Sequence, residues 1–110
     1  SKMNKFEAIL LISPEVSNDK LKKELDNFDS ILNTNKGSII HKEDWGLRDL
    51  SYKIKTFKKA FYKFFQIEID GNKIELIKNN LSQNDFIIRH LFVKVSKHQE
   101  LPTKLYDEKK

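Results

Sequence analysis

The chain has 110 residues, of which 38% are hydrophobic and 34% charged, with a net charge of +5 and no cysteine. This length and composition fit one globular domain with its own core, and the missing cysteines exclude disulfides and thiolate metal sites and favour a reducing cytoplasm. No apolar run is long enough to span a bilayer, and the positive charge is compatible with a polyanionic partner without requiring one.

The first half of the sequence predicts a strand and a helix. Residues 6–12 are short and apolar and end at a Ser-Pro turn, which indicates a buried strand. A helix is predicted to begin after an N-cap at Ser17 and to end near Gly37. Its apolar residues recur at steps of four, three and four, the spacing of one buried helix stripe.

The second half predicts a hairpin, a shorter helix and a last strand. Residues 38–45 and 60–69 are two extended segments on either side of a lysine-rich connection, and they pair most simply as an antiparallel hairpin. Apolar residues at helical spacing follow within residues 74–81, and residues 87–95 form the last strand. The order βαββαβ predicts a four-stranded antiparallel sheet with both helices on one face.

Two regions are expected along the chain. Residues 3–96 form the α+β domain. Residues 97–110 lack apolar periodicity and contain a proline, so they predict a flexible C-terminal tail that becomes ordered when a partner binds it.

Strand parity predicts which aromatic side chains lie on the helix-free face of the sheet, here called the open face. Alternate residues of a strand point to opposite faces. The residues predicted to face the helices are Phe61, Phe65, Ile67, Ile69, Leu91, Val93 and Val95. Tyr62, Phe64 and Phe92 are then predicted on the open face. Three alternatives are open for them: the loops and the tail cover them, bases stack on them, or another protein binds them.

Open-face aromatics on a four-stranded sheet are typical of the RNA recognition motif, which is one alternative function. The stretch from Lys59 to Gln66 meets the motif's third-strand consensus cleanly only at Lys59 and Phe61. Parity turns Phe61 toward the core, whereas the motif needs that aromatic exposed.

A more specific resemblance lies in residues 43–54, EDWGLRDLSYKI. This string resembles the bacterial small-subunit ribosomal protein six family, whose hallmark is Trp/Leu-Gly-x-Arg-x-Leu-Ala/Ser-Tyr-x-Ile. Other family features occur in the same order: Phe6-Glu7, Lys58-Lys59-Ala60 and the Asn-Asp-x-x-Ile-Arg string at residues 84–89. The resemblance covers the chain from Met3 to about His98.

The resemblance implies a ferredoxin-like fold and a structural role in the ribosome. A member of this family would bind the central domain of small-subunit ribosomal RNA as a heterodimer with ribosomal protein eighteen. It would need no cofactor and no small-molecule substrate. We therefore expect a ribosomal location in the cytoplasm.

Six basic residues are the candidate RNA contacts: Arg48, Lys53, Lys55, Lys58, Lys59 and Arg89. Folded RNA is held mainly by phosphate neutralisation and shape, because side chains do not enter the A-form major groove. An ordinary solvated loop is the alternative for the lysines. For the arginines, the alternatives are ion pairs, with Asp49 or Glu43 for Arg48 and with Asp85 for Arg89.

The candidate contacts with a partner protein are aromatic and apolar side chains: Tyr62, Phe64, Phe92, Leu101 and Tyr106. The first three form the predicted aromatic centre of the open face, and the last two are anchors in the tail. Trp45 is predicted to pack in the protein, and Gly46 is predicted to form a bend or bulge.

Catalysis has little support in the sequence. His41 and Glu43 share one face of the predicted strand, whereas Asp44 does not, and no nucleophile or metal-ligand set accompanies them. No phosphate-binding glycine loop is present. A small-ligand regulatory domain with the same element order is a further alternative, but such domains carry a glycine at the turn after the first strand, where this chain has Ser-Pro-Glu-Val.

Overall fold

The computed structural model describes residues 3–98, and these form a four-stranded sheet and two α-helices. The elements are β1 (Met3–Ile12), α1 (Asn18–Thr34), β2 (Ser38–Ile54), β3 (Phe57–Asp70), a 3₁₀ turn (Gly71–Lys73), α2 (Ile74–Ser82) and β4 (Ile87–Val95). All neighbouring strands are antiparallel, in the order β2-β3-β1-β4. The predicted ferredoxin-like βαββαβ fold is confirmed.

The ends of α1 follow from local chemistry. The Ser17 hydroxyl accepts a hydrogen bond from the Lys20 backbone N–H at 3.1 Å, which confirms the predicted N-cap. After the helix, the Gly37 N–H donates to the Leu32 carbonyl at 2.7 Å. A Cβ at Gly37 would lie 2.9 Å from the Glu68 carbonyl oxygen, so only glycine lets the chain pass this closely to β3.

One hydrophobic core lies between the helices and the sheet. From the helices it takes Phe28, Leu32, Ile74, Ile77 and Leu81. From the strands it takes alternate residues, including Phe6, Ala8, Leu10, Phe65, Ile67 and Ile69. Both helices therefore cover the same face of the sheet, as predicted. Within residues 3–98, no helix is long and apolar enough to cross a membrane.

The parity predicted for β4 was wrong, because this strand contains a bulge. Ile12 pairs with Ile87, but Leu11 pairs with Arg89, so Ile88 is an extra residue. One extra residue moves every later side chain to the opposite face. Phe92 therefore pairs with Ala8 and packs on the core beside Phe28, with ring centroids 6.4 Å apart.

The same bulge places two residues predicted to face the helices on the open face. Leu91 pairs with Ile9 and Val93 pairs with Glu7, both on the side away from the helices. Leu91 is 55% exposed and Val93 48% exposed. Phe92 is thus not an open-face residue, and Leu91 and Val93 present apolar surface there instead.

The lysine-rich connection of the predicted hairpin is much shorter than expected. β2 continues to Ile54 and β3 begins at Phe57, which leaves a two-residue turn. Because β1 pairs with β3 only up to Phe61, residues 48–60 form a two-stranded extension beyond the end of β1. We call this extension the basic ribbon. It is ordered as strand because its apolar residues pack on the open face beside Leu11 and Ile88.

Candidate nucleic-acid interface and partner surface

The basic ribbon gathers five of the six candidate RNA contacts. It carries Arg48 and four lysines, Lys53, Lys55, Lys58 and Lys59, against one acidic residue, Asp49. All four lysines are exposed. Lys59 lies 3.7 Å from Asp49, but both side chains are mostly in solvent, so this pair contributes little stability. The ribbon therefore presents a concentrated positive charge to solvent.

The ribbon has an apolar side that holds it against the rest of the protein. Leu50, Ile54 and Phe57 pack against a small cluster that contains Leu11 and Ile88. Because this side is anchored on the open face, the lysines are presented from an ordered β-hairpin rather than from a solvated loop.

Arg48 is positioned by Trp45. Its Nε donates to the Trp45 carbonyl oxygen at 3.0 Å, and its guanidinium carbon lies 5.2 Å from the centroid of the Trp45 ring. The indole Nε1 in turn donates to a Glu43 carboxylate oxygen at 2.9 Å. The hydrogen bond and the cation–π contact position the Arg48 guanidinium at the base of the ribbon and leave its Nη donors for a ligand.

Arg89 meets the ribbon from the other edge of the sheet. The bulge in β4 places it opposite Leu11 on the open face, and its Nη1 lies 3.2 Å from the Tyr52 hydroxyl, to which it donates. The sequence suggested Asp85 as its ion-pair partner, whereas the hydrogen bond that positions Arg89 goes to the ribbon. All six predicted basic residues thus lie on the ribbon or in contact with it.

The predicted aromatic centre of the open face is packed within the protein. Trp45 stacks on Phe64 with ring centroids 5.4 Å apart and on Tyr62 at 6.3 Å. Phe64 is consequently only 2% exposed. Phe61 packs on the helix side, so the arrangement needed by an RNA recognition motif is not formed. Leu101 and Tyr106, the predicted anchors in the tail, lie outside the described residues.

Glu7, Gln66 and His98 form a polar group on the open face that no sequence pattern predicted. Gln66 is 1% exposed and its amide nitrogen donates to a Glu7 carboxylate oxygen at 3.2 Å. His98, which follows β4, turns back over this group, and its Nδ1 lies 3.7 Å from the same Glu7 oxygen. Antiparallel pairing of Glu7 with Gln66 could have been anticipated only from the exact strand register.

The acidic and histidine residues of β2 are divided between the two faces. His41 pairs with Gln66 and Glu43 with Phe64 on the open face, whereas Asp44 pairs with Lys63 on the helix side. This division was predicted from parity. Within residues 3–98, no group of three His, Cys, Asp or Glu side chains is arranged to hold a metal ion.

Two titratable groups near the sheet have shifted pKa values. Partial burial acts to raise the pKa of Asp44, but hydrogen bonds from Lys63 and the Gly46 N–H, with the charge of Lys63, bring it below 3.8. Burial lowers the pKa of His90 below 6.5, and the nearby Lys78 ammonium lowers it further. Neither group lies on the basic ribbon.

Comparisons with known proteins point to one family. The family model described as ribosomal protein S6 matches residues 5–94. The small ribosomal subunit protein bS6 of Rickettsia felis is 36% identical over 103 residues, which cover 94% of this chain and 85% of that protein. The bS6 protein of Christiangramia forsetii is 31% identical over 96 residues, covering 87% of this chain and 86% of that protein.

A solved structure shares the fold. The crystal structure of 30S ribosomal protein S6 from Thermotoga maritima superposes with a TM-score of 0.80 at 24% identity. The match covers 86% of this chain and 89% of that chain.

Proposed function

The chain belongs to the ribosomal protein S6 family, and from this premise we propose that it binds the central domain of small-subunit ribosomal RNA as a heterodimer with ribosomal protein eighteen. Members of the family are structural proteins of the small ribosomal subunit, and this chain shares that non-enzymatic role. The RNA contact and the partner are the parts that the proposal adds.

The basic ribbon is the observation that carries the RNA contact. Its five basic residues against one acidic residue stand on an ordered hairpin that extends beyond β1. Lysine ammonium groups at such a site release counterions when they meet phosphates, which drives association without reading the base sequence. Arg48 and Arg89 add two guanidinium groups that can bind phosphate oxygens through paired N–H donors.

Tight binding is expected to need a second protein. The net charge is only +5, and two of the 21 basic residues are arginines. This modest charge gives limited electrostatic attraction to RNA. A basic partner that binds both the protein and the RNA would add phosphate contacts and effective concentration.

The surface that we assign to the partner is the apolar part of the open face on β4. Leu91 and Val93 are about half exposed there, next to the half-buried Ile9. Phe92 is withdrawn from this surface, since it packs on the core. Phe64 is buried under the Trp45 ring, so we do not assign it a direct contact with the partner.

The proposal is tested by binding to a central-domain fragment of small-subunit ribosomal RNA. Gel shifts compare the full chain alone, ribosomal protein eighteen alone and the two together, at one fixed salt concentration. We expect weak binding by either protein alone and cooperative binding by the pair. Equal affinity of this chain with and without the partner would exclude the heterodimer, and no shift in any lane would exclude the RNA contact.

A further inference from the structure

Tyr52 is unusually exposed for an aromatic side chain. It is 65% exposed, the highest exposure of any aromatic residue within residues 3–98. Its neighbours on the ribbon, Leu50 and Ile54, pack on the apolar cluster. Trp45 stacks on both Tyr62 and Phe64, and Trp45 and Phe64 are buried. Tyr52 is therefore the aromatic surface that the ribbon offers to solvent.

The Tyr52 ring is held in place from outside the ribbon. Arg89 on β4 donates from Nη1 to the Tyr52 hydroxyl at 3.2 Å, a contact between residues 37 positions apart. This hydrogen bond engages an oxygen in the plane of the ring, so it orients the ring and leaves the π faces free of this contact. Because Arg89 already restricts the Tyr52 ring, a ligand that binds the ring has less side-chain conformational entropy to remove.

The positive charges around Tyr52 are complementary to the phosphate of a nucleotide. Lys53 follows it directly, and Arg89 has guanidinium donors beyond the Nη1 that binds the phenol oxygen. A base can stack on an exposed aromatic ring while its phosphate is bound by a guanidinium or ammonium group. A base inside a regular A-form helix is already stacked on its neighbours, so only an unpaired base fits this combination.

We propose that Tyr52 and Arg89 form a binding site for one unpaired nucleotide of RNA. The base stacks on the Tyr52 ring, and the adjoining phosphate binds the remaining donors of Arg89. The site rests on the proposed function, since it uses RNA that the ribbon contacts, and it specifies that the ribbon recognises a bulged or looped nucleotide as well as duplex phosphates.

The test uses the complex of the full chain, ribosomal protein eighteen and a central-domain RNA fragment in which 5-bromouridine replaces uridine. Bromouridine forms a photo-crosslink with an aromatic ring stacked on it, and mass spectrometry identifies the linked residue. We expect Tyr52 to be crosslinked to a nucleotide that is unpaired in the fragment. Crosslinking at other residues without Tyr52 would overturn the site.

Affinities of matched variants provide the second readout. Tyr52→Leu removes the aromatic face and is expected to weaken binding about tenfold, whereas Tyr52→Phe keeps the face and loses much less. Phe86→Leu changes the other exposed aromatic residue within residues 3–98, at 36% exposure near α2, and serves as the control with unchanged affinity. Thermal unfolding of each variant is measured first, and the crosslink to Tyr52 in the wild-type complex keeps the site testable if Tyr52→Leu does not fold.

Different results would contradict the nucleotide site and the proposed function. If the wild-type complex binds the fragment but Tyr52→Leu binds equally well and no Tyr52 crosslink forms, the nucleotide site is wrong and the phosphate contacts of the ribbon stand. If the wild-type complex does not bind the fragment, both the site and the proposed function are wrong.

Discussion

The indole ring of Trp45 lies almost parallel to the ring of Phe64, with centroids 5.4 Å apart and planes inclined by 10°. Trp45 occupies a bulge in β2, between Asp44, which pairs with Lys63, and Gly46, which pairs with Tyr62. Gly46 has a φ of +77°, a conformation that glycine adopts readily. The bulge aims the indole across the open face, so the aromatic residues there form a packed layer.

Removal of Trp45 is predicted to destabilise the protein. Trp45 is 6% exposed, and its ring contacts Phe64, Tyr62 and Arg48. Trp45→Ala is expected to lower the free energy of unfolding by about 3–5 kcal/mol, the usual cost of deleting a buried aromatic ring. Urea denaturation measures this, with the 48% exposed Leu47→Ala as a control that changes little. A cost below about 1 kcal/mol would contradict the packing described.

Asp44 is predicted to stabilise the folded protein, because it is the counter-charge of the buried Lys63 ammonium. The Lys63 ammonium lies 2.7 Å from the Asp44 carboxylate, and the lysine side chain is only 8% exposed. Asp44→Asn leaves this ammonium without its counter-charge and is expected to cost about 1–2 kcal/mol of stability. Lys63→Met removes the buried charge altogether and is expected to be close to neutral.

The two variants are compared by chemical denaturation, singly and combined. In the Lys63→Met background, Asp44→Asn is expected to cost much less than in the wild type. Equal costs in the two backgrounds would show that the ion pair does not account for the effect of Asp44.

His90 is predicted to make stability depend on pH. Burial and the Lys78 charge hold its folded-state pKa below 6.5, so folding favours the neutral ring. This contribution is fully present above pH 6.5 and is lost as the pH falls through the folded-state pKa. The wild type is compared with His90→Gln, so that the other titratable groups contribute equally to both proteins. We expect the difference in unfolding free energy between them to shrink as the pH is lowered, and a constant difference would contradict this.

Leu91 is predicted to contribute to partner binding. Leu91→Ser is expected to weaken binding of ribosomal protein eighteen about tenfold, since it removes apolar contact area from the open face. Leu76→Ser is the matched control, because Leu76 is 57% exposed on α2 and Leu91 is 55% exposed on β4. Isothermal titration calorimetry measures both affinities. An equal loss for the two variants would move the interface away from β4.

The order of the elements could be predicted because each has a strong local pattern. The stripe of α1 and the apolar run of β1 depend on residues close in sequence. The family resemblance identified the basic residues of the ribbon for the same reason, since they lie in or beside one contiguous motif.

The faces of β4 could not be predicted from the sequence. The extra residue Ile88 reverses the parity of every residue that follows, and a bulge depends on the register with β1 rather than on local composition. The bulge at Trp45 likewise determines what covers Phe64. The contact between Arg89 and Tyr52 depends on both the β4 bulge and the length of the ribbon, so no local pattern signals it.

The central claim, that the basic ribbon binds RNA phosphates, is tested most directly by the salt dependence of binding. The test variant replaces four lysines with glutamine: Lys53, Lys55, Lys58 and Lys59. The control variant removes the same charge from exposed lysines elsewhere: Lys22, Lys23, Lys36 and Lys42. Each is bound with ribosomal protein eighteen to the central-domain fragment over a series of salt concentrations.

Each lost phosphate contact reduces the slope of log affinity against log salt by roughly 0.7 to 0.9. The ribbon variant is therefore expected to bind more weakly and to have a slope smaller by about 3 than that of the wild type. The control variant, which has the same net charge, is expected to keep nearly the wild-type slope. Equal slopes for the wild type and the ribbon variant would show that these lysines do not contact phosphates and would contradict the account.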